Sequence, residues 1–287
     1  MILILACLAG CRSVPTQGPR PTDQVRVDFL DVGQGDSALI RSATGKTILI
    51  DGGPSEAGPR IDTYLNGRGV HSLDLVLLTH RHADHLGGLR MVVERHGTHL
   101  FMDAPFAHDI PEYQRLLAEL DRQRVLVRQA ETGRTVDLGG GAHLTLLGPP
   151  QPALVGTRSD VNANSVVSRL DCGKLSILFA ADAESPTERW LLEAQVPLRA
   201  AILKVSHHGS RSSSTVKFLQ AVQPSLAIIS VGAGNEYHHP DPQTIERLQH
   251  AGVRVLRTDL DGPVTIESDC EKIHVLVRGH KEVLRAP

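Results

Sequence analysis

The chain has 287 residues, 41% hydrophobic and 22% charged, which is ample material for a large globular core. A net charge of −2 supplies no global basic field for nucleic acid, and 3% aromatic residues leave little surface for base stacking. The four cysteines, Cys7, Cys11, Cys172 and Cys270, show no C-x-x-C spacing, which argues against a thiolate zinc site.

The opening MILILACLAG is apolar, too short to span a bilayer as a helix, and of the length of the apolar part of an export signal. It runs into Leu8-Ala9-Gly10-Cys11, which resembles the lipobox of bacterial lipoproteins and implies a lipidated Cys11 and an exported, membrane-anchored protein. No Lys or Arg precedes Cys11, a departure from that pattern. The following RSVPTQGPRPTDQ is rich in Pro and polar residues and reads as a tether. Residues 1–24 are therefore set apart as signal and tether, and residues 25–287 as one domain. In an oxidising space Cys172 and Cys270 would be able to pair.

Within the domain, residues 25–32 alternate apolar and polar side chains, as a strand with one buried face does. DSALIRS and TGKTILID follow as a hairpin about Thr44-Gly45. Residues 60–68 have helical spacing, and 73–79 form a continuous apolar run, as in a strand covered on both faces. Residues 84–96 are predicted helical despite Gly87 and Gly88, and 110–123 have helical spacing with Tyr113, Leu116, Leu117 and Leu120 on one side. Further strands are predicted at 143–147, 165–171, 175–181, 200–206, 225–231, 253–257, 262–267 and 272–277. Ser185-Pro186-Thr187-Glu188 reads as a helix start with Ser185 as N-cap and Glu188 closing a capping box; Asp241-Pro242 reads as another. Hairpins mixed with strand–helix alternation suggest two mixed sheets packed together with helices outside.

The run LLTHRHADHLGG places His80, His82, Asp84 and His85 where a buried strand meets a helix. Irregular backbone there can aim several side chains at one point. Imidazole with carboxylate suits zinc, manganese or iron, whereas a polar loop with chance histidines would need no such order. Asp182, His207, His208 and His239 likewise follow apolar strands. Each alone reads as a cap or loop residue; their shared position after strands links them.

The HxHxDH motif, with DVGQGDS (31–37) and LIDGG (49–53) upstream, resembles the metallo-β-lactamase superfamily. FLDVGQGDSALI, NSVVSRL, KVSHHGSRSSS and ISVGAGNEYHHP resemble, more narrowly, the hydrolase domain of the ComEC/Rec2 competence proteins, from about Val25 to about Glu267. The resemblance implies an α/β fold, a four-layer αββα sandwich, with two divalent metal ions, zinc or manganese, at one sheet rim. It implies His80 and His82 on the first metal, Asp84 and His85 on the second, and Asp182 bridging. Where many members carry a third first-site histidine, this chain has VNANSVV with Asn162 and Asn164. His207 or His208 is expected to replace it, with the other a proton donor; the working assignment takes His207 as ligand and His208 as donor. His239 is expected to complete the second site and Asp51 to orient a ligand from behind. Asp31, Gln34 and Asp36 read either as turn formers or as rim residues.

Paired metals activate a water near neutral pH and neutralise charge developing on a phosphoryl or carbonyl oxygen. Asp84 is expected to be catalytic as well as a ligand. The serines and Arg211 of HHGSRSSS, with Asn-Ala-Asn-Ser, suit phosphate oxygens. The expectation is therefore a metal-dependent phosphodiesterase, with DNA among the candidate substrates. The alternatives are a lactamase, lactonase or thioesterase in the same fold, and a non-catalytic binding module. The long apolar segments of a ComEC channel are absent from this sequence.

Overall fold

The structure, a computed structural model, describes residues 24–106 and 110–284. The signal sequence, Cys11 and the tether as far as residue 23 lie outside the described residues. Among the described residues no helix is long and apolar enough to cross a membrane.

The chain first lays down β1 (Val25–Phe29), β2 (Ala38–Arg41), β3 (Thr47–Ile50), β4 (Ser72–Leu78), β5 (Gly97–Asp103) and β6 (Leu126–Gln129). It then builds a whole second sheet from β7 (Thr135–Gly139), β8 (Ala142–Leu146), β9 (Ser168–Cys172), β10 (Leu175–Phe179), β11 (Ile202–Lys204), β12 (Leu226–Ile229) and β13 (Arg254–Arg257). Finally β14 (Val264–Ser268), β15 (Ile273–Val277) and β16 (His280–Leu284) return to the first sheet beside β1. The strand orders are 16-15-14-1-2-3-4-5-6 and 13-12-11-10-9-8-7. Strands β3 to β6 are mutually parallel, as are β10 to β13, and each parallel set carries its crossover helices on the outer face.

Alternation along the strands divides the apolar residues into three layers. Ile48, Ile50, Leu75 and Leu77 meet Leu170, Ile177, Ile202 and Ile228 between the sheets. Leu49, Val76 and Leu78 point the other way, onto α1 (Gly58–Gly67), α3 (Leu89–Arg95) and α4 (Pro111–Arg122) through Ile61, Leu65, Val92, Leu116 and Leu120. After the one-turn α5 (Asp160–Ala163), Leu178, Leu203 and Ile229 do the same in the second sheet, meeting α6 (Ser185–Glu193), α7 (Val216–Val222) and α8 (Pro242–His250) through Leu191, Phe218 and Leu248. The result is the expected αββα sandwich, each fully buried aliphatic side chain contributing about 1.5–3 kcal/mol.

Three local expectations need correction. Residues 84–96 form not one helix but two, α2 (Ala83–Leu86) and α3, because the chain breaks at Gly87-Gly88 to pack on backbone. A Cβ on Gly88 would lie 2.3 Å from the Gly52 carbonyl oxygen. Glu184, not Ser185, is the N-cap of α6, and it makes no side-chain cap because His207 and Ser212 engage its carboxylate. Glu188 closes no capping box; it accepts hydrogen bonds from the Ser214 and Thr215 amides instead. Asp241 does cap α8, accepting from the Gln243 amide.

Candidate metal centre

Both parallel strand sets end at one rim, the usual place for a site in parallel sheets. Asp51 follows β3, His80 and His82 follow β4, Asp182 follows β10, and His207 and His208 follow β11. The backbone here is held in sparsely populated conformations. Asp51, Ala181, His207, His208 and His238 all have φ between 47° and 57°. Such non-glycine left-handed residues persist only where the surroundings over-determine them, and they gather at functional sites. At His207-His208 the effect is direct: two consecutive left-handed residues send adjacent imidazoles into different groups.

The first group contains His80, His82 and Asp182, whose ligand atoms lie within 4.8 Å of one another. His80 Nε2 is 3.1 Å from His82 Nδ1 and 3.6 Å from Asp182 Oδ2, and His207 Nε2 reaches to 3.7 Å of the same oxygen. The second group contains Asp84, His85, Asp182 and His208, again within 4.8 Å. Here His85 Nε2 is 3.3 Å from Asp182 Oδ1, and His208 Nε2 is 3.1 Å from Asp84 Oδ2. The two oxygens of Asp182 are thus divided between the groups. The atoms that face inward fit cations: His85 Nε2 and Asp182 Oδ1 are buried with no hydrogen-bond partner. As they stand they meet only each other, at 3.3 Å, and a divalent ion placed among them would satisfy both.

The outward-facing ring nitrogens are held from behind. Asp51 Oδ2 lies 2.9 Å from His85 Nδ1, and the Asp51 carboxylate also accepts from the Thr79 hydroxyl and amide. Glu184 holds His207 Nδ1 at 3.0 Å, and the Ser230 carbonyl holds His208 Nδ1 at 2.9 Å. Asp36 is buried beside His208, 3.4 Å from Nδ1, and is ion-paired with Lys204.

Charge is strongly redistributed. Burial would raise the Asp182 carboxyl, but His85, His207 and His208 around it hold it well below the usual range. Burial likewise opposes ionisation of His208, yet Asp182 and Asp36 raise it to about 10. His239 goes the other way: burial, then His207 and His208, lower it to about 4.

His239 lies at the open side, its ring 5.7 Å from that of His207, and belongs to neither group. Asn162 reaches the site, with Nδ2 3.4 Å from His207 Nε2, whereas Asn164 is committed to backbone groups of Leu154 and Asp160. Asp31 forms a turn with the Gly33 amide, while Gln34 lines the rim. Of Arg211 and the serines, three already have partners within the protein. Arg211 donates to Gln243, Ser212 to Glu184, and Ser213 to backbone carbonyls. Sequence reasoning does not single out Lys204 or Glu184; a lysine inside the apolar AILKVS is the available signal for the first. The groups line a cavity of about 820 Å³.

With this fold and rim, the family profile described as the metallo-beta-lactamase superfamily matches residues 30–233, and the chain belongs to that superfamily. Within it the chain is similar to ComE operon protein 3 of Bacillus subtilis, 29% identical over 266 residues, covering 86% of this chain and 33% of that protein. It is also similar to Recombination protein 2 of Haemophilus influenzae, 31% identical over 261 residues, covering 89% of this chain and 30% of that protein. The chain therefore spans about a third of the length of these relatives. Among solved structures, the metallo-beta-lactamase fold protein YhfI from Bacillus subtilis superposes with a TM-score of 0.57 at 12% identity, over 85% of this chain and 100% of that one. Zn(2+)-bound PqqB from Methylobacterium extorquens superposes at 0.51 and 12% identity, over 81% of this chain and 97% of that one. Both share the fold.

Proposed function

We propose that this metal-dependent hydrolase is a phosphodiesterase holding two divalent ions, zinc or manganese, between the two His/Asp groups. The carrying observation is Asp182, whose two oxygens are divided between those groups, Oδ2 facing His80 and His207 and Oδ1 facing His85 and His208. When bound, such a pair supplies an activated water near neutral pH and neutralises charge developing on phosphoryl oxygen. His80, His82, His207 and Asp182 would hold one ion, and Asp84, His85, His208 and Asp182 the other. This exchanges the roles expected from sequence for His208 and His239: His208 becomes a ligand, and His239 the group free to face substrate.

Asp84, partly exposed to the cavity, orients the attacking water by accepting its hydrogen bond. The water oxygen bonds to phosphorus as the bond to the leaving oxygen breaks, and the proton the water sheds passes by way of Asp84 to solvent. His239 stands at the open side of the cavity, outside both His/Asp groups. A diester anion beside it favours its protonated form, and the imidazolium passes its proton to the leaving oxygen. Gln34 Nε2, buried without a partner, is a donor on the cavity wall that suits a substrate oxygen. The similarity to Recombination protein 2 supports including nucleic acid among the candidate substrates.

The test is purified protein with its metals counted, assayed on bis(p-nitrophenyl) phosphate. About two ions per chain are expected, and Asp84→Asn is expected to lower turnover at least 100-fold, the scale on which a lost charge-stabilising group acts. No stoichiometric metal, an Asp84→Asn protein as fast as its parent, or turnover confined to nitrocefin or acyl thioesters would each refute the reading. The acyl alternative has its own support, since hydroxyacylglutathione hydrolase of Chromohalobacter salexigens is 31% identical over 121 residues, 41% of this chain.

We propose also that the protein is exported and anchored by a lipid on Cys11. The Leu8–Cys11 motif supports this, as does a disulfide between Cys172 and Cys270, with Cα atoms 4.9 Å apart, a bond favoured in oxidising compartments. Cell fractionation checks it: Cys11→Ser should leave the membrane fraction, and an unchanged distribution rules it out.

A further inference from the structure

Tyr237 is the one Phe, Tyr or Trp among the described residues whose ring is exposed, at 59%, and it lines the cavity beside the metal centre. In a chain so poor in aromatics, this ring stands at the mouth of a site rather than in the core. Nor is it a chance of a loose loop. Asn235 ties the loop together: its side chain donates to the Gly232 and His239 carbonyls at 2.9 and 2.7 Å and accepts from the His239 amide at 2.9 Å. Gly232 donates in turn to Gln34 on the facing loop. The brace sets the Tyr237 ring 6.0 Å from that of His239, the planes only 26° apart.

From this geometry we infer that Tyr237 is a stacking platform for a planar ring carried next to the scissile phosphate, making nucleoside diesters with an unpaired base the preferred substrates. The inference rests on the phosphodiesterase reading and deepens it. A base offers a π-face to an aromatic side chain whatever its identity. A base inside a duplex has both faces covered, so the platform selects single strands, frayed ends or short diesters. The charge of the rim agrees: Arg60 is offset there by Glu56 and Glu236, which suits one phosphate and its flanking ring better than a long run of phosphates.

Two diesters with the same leaving group test it: thymidine 5′-(p-nitrophenyl phosphate) and methyl p-nitrophenyl phosphate. The parent protein should prefer the thymidine ester. Tyr237→Ala should lower kcat/KM on that ester about tenfold or more, chiefly through KM, and change the methyl ester by no more than about twofold. Tyr237→Phe should retain the preference. A second readout needs no turnover: fluorescence anisotropy of labelled oligothymidylate on the Asp84→Asn protein, where adding Tyr237→Ala should weaken binding by a similar factor. Equal losses on both esters, no loss on either, or failure of phenylalanine to restore the preference would overturn the inference. If the parent protein cleaves neither diester, the phosphodiesterase reading falls by itself. The platform is then decided by oligothymidylate binding, and an affinity unchanged by Tyr237→Ala overturns it.

Discussion

Lys204 lies within the core strand β11, 4% exposed, with Asp36 as its ion partner. A buried pair of this kind adds little over an apolar pair of the same shape, but breaking it strands a charge. Lys204→Met is therefore expected to cost about 3–5 kcal/mol in urea unfolding, and a double variant with Asp36→Asn to recover most of that. Additive losses would show that the two side chains do not act as a pair. The pH dependence has a definite sign. Burial opposes ionisation of Asp36, but Lys204, His208 and His85 draw its pKa from 3.8 down to about 2. Its contribution to stability is present above pH 3.8 and lost as pH falls towards 2, and that acid limb should flatten in the double variant. At this scale the sequence is readable where ligands cluster locally, as in His80 to His85. It is unreadable where a role depends on backbone conformation. Nothing in the letters HH says that His207 and His208 take up left-handed φ and part company.

At the scale of elements, the loop between β1 and β2 shows why the metal centre needs particular connections. Gly35 has φ +145°, and a Cβ there would sit 2.2 Å from the Asp84 carbonyl oxygen, which the neighbouring Asp36 amide uses as its acceptor at 3.1 Å. Gly35→Ala is expected to push this loop off α2, lowering metal content and cutting turnover about tenfold or more, while circular dichroism still reports a folded protein. Gly67→Ala, at the end of α1 with open space around its Cα, serves as the control and should behave as the parent. Full metal occupancy in the Gly35→Ala protein would contradict this account. Periodicity locates the strands buried on both faces, β4 and β10 to β12, because an unbroken apolar run must be covered on every side. It misses β5, which lies between β4 and β6, and the largely exposed edge strands β6, β7 and β16. Edge strands carry no apolar alternation and are defined by the neighbour they pair with. Local spacing merges α2 with α3 for the converse reason: the break is imposed by contact with residues 52–55, which no local window contains.

For the whole molecule, the layered sandwich is inferable because three apolar surfaces must be buried and two sheets with outer helices bury them. What the sequence does not reveal is which strands close the first sheet, since β14 pairs with β1 across some 240 residues and long-range pairing leaves no local trace. That closure has a mechanical consequence. Val25 pairs with Ser268, Ser268 with Ile273, and Ile273 with Leu284, so the first and last described strands start and finish in one row. Three strand spacings separate them, about 14 Å. Because β1 runs parallel to β3, this row lies at the end of the sheet remote from Asp51 and the histidines, and the Cys172–Cys270 bridge joins the two sheets at that same end. The domain thus behaves like a lamp on a bracket. An attachment made through either end of the described domain would grip the back and leave the His/Asp rim open.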